Sequence, residues 1–136
     1  MGTYRRINVA SGRSLEKLAH YSRALRVGDT VLQSGTTAID RQGNVRGVGD
    51  AARQAETIMA IAEASMARAG GRLQDVVRSR IYVTDMAIAD AAIRTVARYF
   101  RDARPATTLV QVSALARPEQ LVTLPRASCL VRYFSK

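Results

Sequence analysis

Between Asp50 and Gly71 lies the segment that most limits what this chain can fold into: one helix with a single apolar stripe and a marked start and stop. Asp50 is an N-cap by type, because its carboxylate accepts the orphan backbone N–H groups of a first turn. Ala51, Ala55, Ile58, Ala62 and Met66 then recur at helical spacing. Gly70 and Gly71 stop the run by supplying the left-handed position after the last turn cheaply. Such a stripe needs a sheet to lie on, and the flanking sequence provides one.

The clearest strand follows directly, from Val76 to Thr84. Val77, Ile81 and Val83 are expected on one side and Arg78, Arg80 and Tyr82 on the other. A second helix is expected from about Met86 to Arg101, burying Ile88, Ala92, Val96 and Tyr99 or Phe100. Pro105 ends that region, and Thr107 to Val112 and Leu121 to Tyr133 read as further strands. Ahead of the first helix, Tyr4 to Asn8 is a strand candidate followed by a polar loop through Ser14. Tyr21 to Val27 and Thr30 to Gly35 flank Gly28-Asp29 as a hairpin would. Asp40 to Gly49 is turn-rich and reads as a surface loop. The predicted order is β-β-β-α-β-α-β-β, an α+β layer with two helices on one face of a mixed sheet. The other face still carries apolar and tyrosine side chains, and oligomerisation is the simplest way to bury them.

The 136 residues show no internal repeat, low-complexity tract or linker, so residues 1–136 are read as a single domain. No apolar run approaches the roughly 20 residues that span a bilayer. The opening MGTYRRINVASGRS has no apolar stretch behind its basic residues and does not read as a signal peptide. Cys129, the single cysteine, cannot form an internal disulfide and reads as a buried structural thiol. A cytoplasmic location without membrane attachment is the expectation. One histidine and one cysteine cannot supply the usual N/S ligand set of a metal site, so none is expected.

The formal net charge is +10, from 21 Lys plus Arg against 11 Asp plus Glu, and Lys17 and Lys136 are the only lysines. A balance this basic can attract nucleic acid or anionic metabolites. The arginines sample the whole chain, however, and no basic run interleaves with aromatics, which favours scattered surface charge over a nucleic-acid surface. The loop DRQGNVRGVG contains glycines without matching a phosphate-binding pattern. His20 is a weak candidate for a general acid/base, being tunable near neutral pH, against the plainer reading of a packing or surface residue. Arg80 and Tyr82 share a strand face that serves either as a ligand wall or as the inner surface of an oligomer.

Three segments, AHYSRALRVGDTVLQSGTTAIDRQGNV, GRLQDVVRSRIYVTDM and FRDARPATTLVQVSAL, resemble in order and spacing the signatures of the RidA (YjgF) family. Its members also go by L-PSP endoribonuclease and enamine/imine deaminase. The resemblance runs from about Tyr21 to Val131. It implies a chorismate-mutase-like fold, a homotrimer and small-molecule clefts between subunits. It further implies hydrolysis of 2-imino or enamine acids to 2-keto acids and ammonia, with no metal or organic cofactor. On the same resemblance, Tyr21 lines the cleft, the backbone of Gly35 helps to bind the ligand, and Tyr82 forms part of the wall.

Two departures accompany the resemblance. Deaminase members carry an arginine after the Pro-Ala pair that clamps the substrate carboxylate, and here that position is Thr107, with Leu109 where a Cys or small residue is common. A hydroxyl cannot supply the charge and two-pronged geometry of a guanidinium; Arg104, next to Pro105, is the nearest substitute cation. In the last strand the family has a Glu-x-Glu segment, and here Thr123 and Pro125 stand at the two positions. No carboxylate lies between Leu121 and Lys136, and Pro125 suggests a bulge or an edge. The resulting expectation is a family member with small-molecule sites lined by Tyr21, Gly35, Tyr82, Thr107 and Leu109, weak or altered deaminase activity, and a less anionic ligand. The alternatives are a non-catalytic metabolite-binding trimer and an RNA-binding or endoribonuclease-like protein.

Overall fold

In the computed structural model, which describes residues 3–130, the chain runs β1 (Arg6–Val9), α1 (Ser14–Ala19), β2 (Ala24–Val27), β3 (Thr30–Gln33), α2 (Ala51–Arg68), β4 (Val76–Val83), α3 (Ala89–Tyr99), β5 (Ala106–Gln111) and β6 (Val122–Leu130). The strands form one six-stranded sheet in the order β1-β2-β3-β6-β4-β5. Only β4 and β5 are parallel, joined across α3; the other neighbours are antiparallel. The fold is the expected mixed α+β layer with α2 and α3 on one face.

Local chemistry accounts for the element ends. The Asp50 carboxylate accepts the Arg53 N–H at 3.0 Å and starts α2 as expected. At its other end, buried Arg26 donates from Nη1 to the Ala69 carbonyl at 3.3 Å, capping the helix from β2. Gly70 follows with φ of 83°. The β2–β3 hairpin turns at Gly28-Asp29, with Gly28 at a φ of 58°.

Three expectations need correction. Val77 is 46% exposed, not inward. A register shift between Val76 and Arg78 against β6 makes a bulge, so Val76 takes the inward place and Ser79, Ile81 and Val83 continue it. The strand expected from Tyr21 begins only at Ala24, because a short helix, α1, stands before it and ends on His20 with φ of 51°. That helix was missed because no side chain caps its N-terminus; instead Glu16 reaches back to accept the Ser11 N–H at 2.8 Å and the Ser11 hydroxyl. The second long helix starts at Ala89, after a separate tight turn over Met86–Ile88 whose Ala87 N–H is capped by Asp85 at 2.8 Å.

Pro125 is placed by the register. From Arg80 to Tyr82 the partners run from Arg126 to Thr123, so β6 carries one extra residue around Pro125. Since β6 lies between β3 and β4, a bulge and not an edge accommodates the proline. Cys129 pairs in register with Val31; the reading of its thiol, like that of β structure beyond Leu130, lies outside the described residues.

The core fills the helix side of the sheet with Ile58, Met59, Met66, Ile81, Val83 and Leu124, all at most 2% exposed. Each such side chain contributes roughly 1.5–3 kcal/mol by leaving water. Neither α2 nor α3 covers the opposite face. Leu25 and Val27 are half-buried there, Leu32 and Val110 are exposed, and Arg80 and Tyr82 stand between them. No helix among the described residues is long and apolar enough to cross a membrane.

Candidate functional site

The left-handed turn at His20 swings the chain across the end of β2 and β3 and sets Tyr21 beside Gly35. Two cavities meet at this pair, and both residues line each of them. The first, about 560 Å³, opens on the uncovered sheet face and includes Arg6, Asn8, His20, Leu32 and Ser34. The second, about 590 Å³, lies toward α1 and the loops after β3 and β5, with Arg13, Arg23, Thr37, Asp40, Arg117 and Thr123 on its wall.

Gly35 offers a backbone donor. The flanking N–H groups are taken, Ser34 by the Arg23 carbonyl at 3.0 Å and Thr36 by the Leu124 carbonyl at 3.0 Å, whereas the Gly35 N–H makes no hydrogen bond among the described residues. Thr123 is 7% exposed, and its hydroxyl donates to the Thr36 carbonyl at 2.8 Å. It has neither the charge nor a spare proton to activate water.

Buried charges organise the second cavity. Burial pushes the Glu16 carboxyl up, but the hydrogen bonds from Ser11, the charge of Arg23 and the Gly12 N–H outweigh it and hold the group below its ordinary value. Its partner Arg23 stands 3.7 Å away. Arg13 is lowered by burial and by the charge of Arg23, against smaller opposing effects of Glu16, Tyr21 and Asp40. Asp40 is held below its ordinary value, first by the Asn44 N–H. It also accepts the Gln42 N–H at 3.0 Å and pairs with Arg46 at 3.2 Å, so it braces its loop.

The other expected site residues lie elsewhere in the chain. Tyr82 is opposite Thr123 in the β4–β6 register, on the same sheet face, one strand beyond the cavities. Thr107 and Leu109 are on edge strand β5, paired with Ser79 and Ile81 and so on the helix side. Thr107 Oγ1 donates to the Pro105 carbonyl at 3.1 Å and lies 2.8 Å from Ser79 Oγ. It lines a separate, mostly apolar cavity of about 360 Å³ beside Phe100, and Arg104, with φ of 45°, borders the same space. One chain therefore unites His20, Tyr21 and Gly35 and leaves Thr107 and Leu109 apart. Arg13 and Arg23, which line the second cavity, were not singled out in the sequence, since nothing in a scatter of arginines marks which ones the fold brings to a cavity. No cluster of three metal-ligating side chains occurs among the described residues.

The Endoribonuclease L-PSP family model matches residues 11–124. The chain belongs to this family. Membership agrees with the RidA (YjgF) signatures in its sequence. Among curated proteins it is similar to the 3-aminoacrylate deaminase RutC of Acinetobacter baylyi, 35% identical over 107 residues covering 79% of this chain and 84% of that protein. Among solved structures it is similar to a YjgF/YER057c/UK114 family member from Mycobacterium tuberculosis, 36% identical with a TM-score of 0.83, covering 93% of this chain and 100% of that one. A protein of unknown function from Pseudomonas aeruginosa is 33% identical with a TM-score of 0.77, covering 96% and 94%.

Proposed function

We propose that this L-PSP family chain assembles as a cytoplasmic homotrimer of single-domain subunits, binds a small molecule in clefts between them, and acts weakly or in altered form on imine- or enamine-type C–N bonds. The observation that carries this reading is the pairing of Tyr21 and Gly35 at the junction of two cavities, with the Gly35 N–H free to bind a ligand. The uncovered sheet face, with Leu32 and Val110 exposed, supports burial against a second copy. A partner's edge strand would bring Thr107 and Leu109 toward that junction. The similarity to a 3-aminoacrylate deaminase supports enamine-type chemistry. Turnover is expected to be weak because the second cavity's wall offers Thr123 where the resemblance implies a proton-handling carboxylate, and Thr107, on its separate cavity at the edge strand, stands where the resemblance implies a carboxylate clamp. Those same replacements favour, as a second reading, a trimer that binds a metabolite without converting it.

Sedimentation tests the assembly: a particle near three times the 14.8 kDa chain mass is expected at micromolar concentration, and a monomer would contradict it. Thermal shift tests the cleft, since a ligand bound to the native state raises its apparent stability. A panel of 2-oxo acids, amides and aromatic metabolites should stabilise the wild type and not Tyr21→Ala. Identical responses of the two proteins would remove the cleft reading.

A further inference from the structure

Separate stretches of chain bound the second cavity, and each adds one large apolar side chain to its wall: Leu15 from α1, Ile39 from the loop after β3 and Leu115 from the loop after β5. Leu15 is 56% exposed, and Ile39 and Leu115 are half-buried. None of them belongs to the hydrophobic core, and the half-buried pair does not pack against it. Their convergence therefore does not serve the packing of α2 and α3 on the sheet. It leaves apolar surface open to whatever occupies the cavity.

These stretches are tied to one another. Arg13, at the N-cap of α1, donates from Nη2 to the Ile39 carbonyl. Ile39 in turn bridges to Val45 across its own loop. The loop after β5 is joined to the loop after β3 by Arg117, which donates from Nη1 to the Gly43 carbonyl, and by Gln120 Nε2, which donates to the Thr37 hydroxyl at 3.3 Å. The same bonds spend polar groups of the wall on the protein itself. Thr123 is likewise committed to the Thr36 carbonyl, and Asp40 to its own loop and Arg46. What the cavity keeps for a ligand, beside Tyr21 and the Gly35 N–H, is largely apolar. Its volume of about 590 Å³ lies in the range that encloses molecules far larger than pyruvate.

We propose that Leu15, Ile39 and Leu115 form a side-chain compartment, which selects ligands whose polar head rests against Tyr21 and Gly35 and whose other end is a bulky aliphatic or aromatic group. The proposal rests on reading this cavity as part of the ligand cleft. It names the ligand class: 2-imino acids, and their 2-oxo products, with a branched or aromatic side chain. On this account α1 is a specificity element, because it carries Leu15 to the wall and is held there by Arg13.

The test is calorimetric titration of the intact protein with pyruvate and with 4-methyl-2-oxopentanoate, which share a head group and differ only in the side chain. Each CH₂ group taken out of water yields about fourfold in affinity. The wild type should favour the larger acid by about tenfold or more, since its extra carbons meet walls that stay partly open. Leu15→Ala and Leu115→Ala should each cut that ratio by about threefold or more. Leu18→Ala changes the same helix at a residue that is 79% exposed and off the cavity wall, and it should leave the ratio in place. All three variants spare the core. A wild-type ratio within about twofold, a ratio that either cavity variant leaves unmoved, or an equal drop in Leu18→Ala overturns the compartment. Equal affinities for the two acids that are both lost in Tyr21→Ala sink the compartment alone. Failure of the wild type to bind either acid removes the cleft reading and the compartment with it.

Discussion

Gln54 offers the sharpest stability test of the fold. It sits in the first turn of α2 with 0% exposure, and its amide joins three separate backbone groups. Nε2 donates to the Gly47 carbonyl at 3.2 Å and to the Glu119 carbonyl at 2.8 Å, while Oε1 accepts the Leu121 N–H at 2.8 Å. The helix thereby holds the loop before it and the turn before β6, which places Arg117 and Gln120 on the second cavity. Gln54→Met keeps length, volume and helix propensity and deletes only the polar groups. Each lost bond costs about 1 kcal/mol net, and a buried group left unpaired costs about 1–3 kcal/mol. Glu119 is an exposed residue and its bond to Gln54 is only part-buried, so the low end applies there. We expect a loss of about 2–4 kcal/mol, or a urea midpoint lower by about 1–2 M for a slope of about 2 kcal/mol/M. Denaturation followed by circular dichroism reads it. A loss under about 0.5 kcal/mol would refute the reasoning, since the three bonds could then be contributing little.

Three other outcomes follow from particular contacts. Gly70→Ala should cost about 1–3 kcal/mol in the same assay, because φ is 83° there and an added Cβ would meet Arg26 Nη1 at 2.6 Å. Glu16 titrates below its ordinary 4.5 in the folded state, so its contribution is complete above that value and is lost as pH falls through the lower folded value. Acid unfolding curves should therefore flatten below pH 4.5 in Glu16→Gln, and an unchanged slope would contradict the assignment. The net charge of +10 is read as scattered arginine, so RNA should show no measurable binding near ~0.15 M salt; tight binding with a steep salt slope would show the opposite.

Much of this architecture was legible because it rests on local rules. The Asp50 cap, the stripe from Ala51 to Met66, the Gly28-Asp29 hairpin and the alternation from Ser79 to Val83 each need only near neighbours. The misses have tertiary causes. Val77 turns outward because of a bulge against β6, which no pattern within β4 records. The helix over Ser14–Ala19 depends on Glu16 returning to Ser11. The site was legible only in part for the same reason. Tyr21 and Gly35 are brought together by the turn at His20, but the burial of Arg23 against Tyr21 is a product of the whole fold. Pro125 was read correctly as a disturbance, and the strand order decided that it is a bulge.

The central claim is that the cleft persists while the groups that make a fast deaminase do not. Its most direct measurement is the decay of 2-iminopropanoate, generated in place by a dehydratase, with the wild-type protein and an arginine-bearing relative compared at equal concentration. A clamp of charge-assisted hydrogen bonds contributes roughly 1.5–3 kcal/mol per bond, and each 1.36 kcal/mol is about tenfold in rate. A missing proton-handling carboxylate removes a further ~10²–10⁴-fold. We predict a kcat/KM at least about a hundredfold below that of the relative. Acceleration comparable to the relative would contradict the account and place the working groups elsewhere.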